Sequence, residues 1–77
     1  MQNETITEVV VITTGACSAL FVNGKQIFTS VRASEPLEAG RGLAEALGVK
    51  VKEVARDLKD TGNLTWRDAY TRFVTAP

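Results

Sequence analysis

Apolar positions in the first half of the chain crowd together instead of alternating cleanly with polar ones. The stretch Thr5-Ile-Thr-Glu-Val-Val-Val-Ile-Thr-Thr14 is dense in β-branched side chains, whose restricted χ1 suits a pleated sheet better than a helix. It predicts a first strand over about residues 5–14. Gly15 interrupts it. Cys17-Ser-Ala-Leu-Phe-Val22 and Lys25-Gln-Ile-Phe-Thr-Ser-Val31 then flank Asn23-Gly24, the dipeptide that most favours a two-residue type I′ hairpin. Strands are expected over about 17–23 and 25–32.

A two-residue loop fixes register. Val22 is expected to face Lys25, Leu20 to face Ile27 and Ala19 to face Phe28. With a tight turn at Thr14-Gly15, one sheet face carries Val9, Val11, Leu20, Val22, Ile27 and Val31. The other carries Val10, Ile12, Cys17, Ala19, Phe21 and Phe28. Both faces are apolar, and a single layer of helices covers only one of them.

The second half of the chain changes period. Ser34 can cap a helix over about 35–47, with Pro36 tolerated in its first turn, Leu37, Leu43, Ala44 and Leu47 on one side, and Gly48 as its stop. Gly40 and Gly42 each weaken such a helix by ~1 kcal/mol relative to Ala, unless close packing on the sheet requires a missing side chain. Val51, Val54, Ala55 and Leu58 stand at i, i+3, i+4 and i+7, the spacing of one buried helical stripe. They predict a second helix over about 50–60 that ends before Gly62. Thr65 with Asp68 resembles a capping box, with Leu64 as a hydrophobic staple. Trp66, Ala69, Tyr70 and Phe73 continue as a third helix over about 66–74.

The expected fold is therefore α+β: a single domain over 1–77 in which a three-stranded antiparallel β-meander precedes two or three helices packed on one face, in the order βββααα. Under that arrangement Val10, Ile12, Phe21 and Phe28 form an apolar surface unfit for a soluble monomer. A second copy of the chain or another protein is expected to cover one of the two sheet faces, this one or the other, since the sequence pattern does not choose between them.

Composition narrows the chemistry. With 77 residues the core is thin. One cysteine and no histidine leave no internal disulfide and no Cys/His zinc site. The 9 basic and 9 acidic residues cancel, which counts against a general nucleic-acid binder. Neither a leader peptide nor a membrane span is legible, so a cytoplasmic protein is expected.

Cys17 has no histidine to activate it and reads as a small buried hydrophobe. Gly40-Arg-Gly42 falls within the predicted helix and lacks the flanking strand of a phosphate loop. No spacing of acidic residues suggests a catalytic carboxylate pair. The chain is expected to be non-enzymatic, with no catalytic, cofactor-binding or metal-binding residues. The stripe of Trp66, Tyr70 and Phe73 fits a thin core better than an exposed patch.

One segment resembles a helix-turn-helix: in residues 43–58, Ala44, Gly48 and Val54 hold that family's relative places. The resemblance implies a dimeric DNA-binding regulator whose second helix presents Lys50, Lys52 and Arg56. Asp57 departs from the pattern, and Glu45, Glu53 and Asp60 interrupt the basic stripe. The sheet-then-helix layout also resembles integrase arm-binding domains, although the first two strands carry no Lys or Arg. In size and simplicity the chain resembles accessory proteins of phages and plasmids, including anti-CRISPR and antirestriction inhibitors. That resemblance implies a protein-binding module that works by occupying a partner's surface, and this is the leading expectation.

Overall fold

A β-branched first strand and two further strands joined through glycine-bearing turns produce the meander. β1 (Val9–Thr14), β2 (Cys17–Val22) and β3 (Lys25–Ser30) pair antiparallel in sequence order. The computed structural model describes residues 5–15, 17–32, 34–57 and 65–75. Asn23 (φ 51°) and Gly24 (φ 82°) both occupy the left-handed region that a type I′ turn demands. Val22 faces Lys25, as expected, and Val9 and Val11 stand opposite Val22 and Leu20, on the face expected for them.

The register then departs from expectation, because a β-bulge between Leu20 and Phe21 sets Leu20 opposite Phe28 and Phe21 opposite Gln26. Ile27 is the extra residue of the bulge. Phe28 consequently belongs to the face of Leu20 and not, as expected, to that of Ala19.

α1 (Ser34–Leu47) follows β3, and the chain then returns as β4 (Val51–Arg56), parallel to β1. The sheet is mixed, with strand order β3-β2-β1-β4. β3 and β4 both run parallel to β1, so α1 crosses over β2 and β1 between them. Here the expected second helix over 50–60 is overturned, and with it the helix-turn-helix. Val51 packs with the α1-side core and Val54 with the opposite one. A strand between two layers needs apolar residues on both faces, and a three-residue spacing supplies one to each. The spacing that predicts a helical stripe is this two-sided strand pattern. Leu58, Gly62 and Leu64, invoked for a helix end and a staple, lie outside the described residues.

The helices do not share one face. α1 covers Val9, Val11 and Leu20 through Ala44, flanked by Leu37 and Leu43. A Cβ on Gly40 would lie 2.7 Å from Val11 Cγ2 and 3.1 Å from Leu20 Cδ1, so this glycine is the close approach that seats the helix. Gly48 (φ 71°) ends it: Val49 N–H donates to the Ala44 carbonyl at 3.0 Å and Gly48 N–H to that of Glu45 at 3.3 Å, a Schellman arrangement.

α2 (Trp66–Tyr70) continues through a π-helical turn (Thr71–Thr75) and covers the other face. Thr65 is its N-cap, with Oγ1 accepting from Asp68 N–H at 3.1 Å. Ala69, with Trp66, Tyr70, Phe73 and Val74, packs on Val10, Ile12, Ala19, Phe21 and Val54. Helices on both faces explain the unbroken apolar run of β1, since Val9 through Ile12 are all fully buried.

Candidate functional site

Three of the four residues assigned to a partner-covered surface, Val10, Ile12 and Phe21, lie beneath α2. The chain covers that face itself. Phe21 stacks on Tyr70 with ring centroids 4.7 Å apart, and the Tyr70 hydroxyl donates to the Glu8 carboxylate. Partial burial, then that hydrogen bond and the carboxylate's charge, push the Tyr70 hydroxyl up to about 12. Phe28, the fourth residue, is 41% exposed on β3.

Among the described residues, the two helices leave most of β3 exposed. Lys25 through Thr29 are all exposed, and Ser30 is half-buried. β3 is an outer strand, so among the described residues one line of its backbone donors and acceptors has no neighbouring strand. From Gln26 to Val31 six consecutive residues carry no charge. Ile27 (55%), Phe28 (41%) and Val31 (77%) add exposed apolar surface.

Two shallow grooves run between β3 and α2. One, about 410 Å³, is lined by Phe21, Gly24, Lys25, Gln26 and Arg67. The other, about 250 Å³, is lined by Cys17, Thr29, Ser30, Val31 and Trp66.

Both ends of β3 are held firmly. At the hairpin, Asn23 Oδ1 accepts from Thr7 N–H (2.9 Å) and Glu8 N–H (3.1 Å), while Nδ2 donates to the Thr5 carbonyl at 2.9 Å. This clip ties the segment before β1 to the turn. At the other end, Ser30 Oγ donates to the Glu35 carboxylate and accepts from Arg32 N–H at 3.0 Å. Glu35 N–H donates to the Arg32 carbonyl at 3.1 Å, which fixes the entry to α1.

β4, the other outer strand, carries charge. Lys52, Glu53 and Arg56 are exposed along it. Arg41 on α1 grips Glu53 with two hydrogen bonds, Nε to Oε2 at 2.8 Å and Nη2 to Oε1 at 3.0 Å. They hold the Glu53 carboxyl below the usual carboxylate range and raise the Arg41 guanidinium. On the opposite face Arg56 sits over the Phe73 ring, 5.0 Å from its centroid.

Lys50, Lys52 and Arg56 do not form a recognition helix. Lys50 lies in the connection from α1, and Lys52 and Arg56 lie on β4, interleaved with Glu53. Gln26, Ile27 and Thr29 were absent from the sequence-level candidates, although the uncharged run Gln26–Val31 was the available signal. Among the described residues no group of three or more acidic, Cys or His side chains could hold a metal ion, and no helix is long and apolar enough to cross a membrane. No protein-family model matches the chain, and comparison with curated proteins and with solved structures returns no significant match.

Proposed function

We propose that the chain is a non-enzymatic protein-interaction module that docks through the β3 edge, adding a strand to its sheet. The carrying observation is the uncharged run Gln26–Val31 along the outer strand β3 and just past its end, with Ile27, Phe28 and Val31 exposed. Backbone pairing along such an edge supplies affinity, while side chains on alternate positions supply selectivity. An uncharged, β-prone edge left unpaired is an aggregation hazard, so occupation in use fits its composition. Inhibition by masking a partner's surface, as in phage-type and plasmid-type accessory proteins, is the corresponding mode of action.

The test compares the two outer strands. A photoreactive residue replaces Phe28 in one variant and Lys52 in another, and crosslinked products are identified by mass in lysate of the source cell. A discrete product is expected from position 28, lost when Ile27→Lys is added to a chain that still melts cooperatively. Equal crosslinking from position 52, or no product from position 28, would refute docking through β3.

A further inference from the structure

The bulge gives β3 a symmetry that a regular strand lacks, and it bears on who the partner is. Residues directly opposite in neighbouring strands share a sheet face. Lys25, Phe28 and Ser30 stand opposite Val22, Leu20 and Ser18, on the α1 side, while Gln26 and Thr29 stand opposite Phe21 and Ala19, on the α2 side. Alternation from Lys25 puts Ile27 on the α1 side as well. Read from 25 to 30, the faces run α1, α2, α1, α1, α2, α1. The pattern is the same in both directions.

Backbone direction follows the same palindrome. Lys25 closes a two-residue hairpin with Val22, so its N–H and C=O point to β2. Along β2, Val22, Leu20 and Ser18 therefore aim their backbone groups at β3, and Phe21 and Ala19 aim theirs at β1. Opposite the latter two, Gln26 and Thr29 aim theirs outward.

We infer that the occupant of the β3 edge is a second copy of this chain, paired antiparallel across a two-fold axis with Gln26 opposite Thr29 and Ile27 opposite Phe28. This inference rests on the edge-docking reading above. In this register every opposed pair shares a face, and both outward-directed residues meet outward-directed residues. A bulge-free strand could not pair in it, because opposed residues would fall on opposite faces. The apolar pair Ile27–Phe28 forms twice at the centre. Lys25 falls opposite Ser30 of the copy, the residue whose hydroxyl holds Glu35, so no cation meets its like. Arg32 lies beyond the paired segment. β4, with Lys52, Glu53 and Arg56, has no comparable uncharged stretch.

Sedimentation of the full chain across a concentration series up to about 1 mM tests this, with charge placed on the opposed pair. Wild type is expected to show a monomer–dimer equilibrium. Gln26→Lys combined with Thr29→Glu sets opposite charges together twice and should tighten the dimer several-fold. Gln26→Lys combined with Thr29→Lys sets like charges together twice and should loosen it at least ~10-fold, with melting of the monomer unchanged. A dimer indifferent to both changes uses another surface and overturns the inference. A strict monomer overturns it too; if that monomer still crosslinks a different protein from position 28, edge docking survives, and if it crosslinks nothing, both fail.

Discussion

Among the described residues β3 and β4 each have one strand neighbour and one open side, yet the chain finishes them differently. β4 has Val54 in the core, a two-bond ion pair to α1 on one face and a cation over an aromatic ring on the other. Three of its exposed side chains, Lys52, Glu53 and Arg56, are charged, the usual device against edge-to-edge pairing. β3 is tied down at both ends, by Asn23 and by Ser30 with Glu35, and its side chains from Lys25 to Thr29 are exposed between them. Holding both ends of an exposed strand lowers the ordering cost of any pairing along it.

Two aromatic residues seven positions apart probe that difference with the largest expected effects. Phe21→Glu buries an unpaired carboxylate under α2 and is expected to cost at least ~4 kcal/mol, most of the stability of a domain this long. Phe28→Glu should cost under ~1 kcal/mol, read as urea midpoints by far-UV circular dichroism. Equal losses would mean that β3 is covered by its own chain, and the contrast between the edges would collapse.

Local chemistry was legible in the sequence and distant pairing was not. Asn23-Gly24 specified the turn because both residues tolerate positive φ, and Thr65 announced α2 because a hydroxyl before a helix satisfies a free N–H. The glycine exception for close packing also held at Gly40. β4 was missed because its partner, β1, lies some forty residues earlier and nothing within 51–56 encodes that pairing. The bulge was missed because an extra residue is invisible until both strands are aligned. The covered apolar face followed from the same error: placing every helix on one side left Val10, Ile12 and Phe21 without the cover that α2 provides.

The crossover joining the two outer strands depends on how closely α1 sits on the sheet, and two glycines two residues apart test it. Gly42→Ala meets nothing within 4 Å and should stabilise by up to ~1 kcal/mol through helix propensity. Gly40→Ala gains the same propensity but drives a methyl into Val11 and Leu20, with an expected net loss of ~1–3 kcal/mol. Stabilisation by both, measured as urea midpoints, would show that α1 stands off the sheet, and α1 could not then serve as the crossover layer that separates β3 from β4.

The smallest expected effect concerns how α2 is fastened, since Arg56–Phe73 ties it to β4 and Tyr70–Glu8 ties it beside the hairpin that begins β3. Tyr70→Phe keeps the ring contact with Phe21 and removes only the hydroxyl, so the loss should stay under ~1 kcal/mol for a partly solvated bond. The pH dependence identifies it. Tyr70 ionises at about 12 in the folded chain, above the ordinary value of ~10 for an unfolded tyrosine. A raised folded-state pKa means that its contribution is complete below pH ~10 and disappears as pH rises towards 12. Wild type should therefore lose stability across that alkaline window more steeply than Tyr70→Phe, the two urea midpoints converging as pH rises. Parallel curves would show that the hydroxyl does not hold α2, leaving the β4 side as its anchor and making the contrast between the two edges greater still.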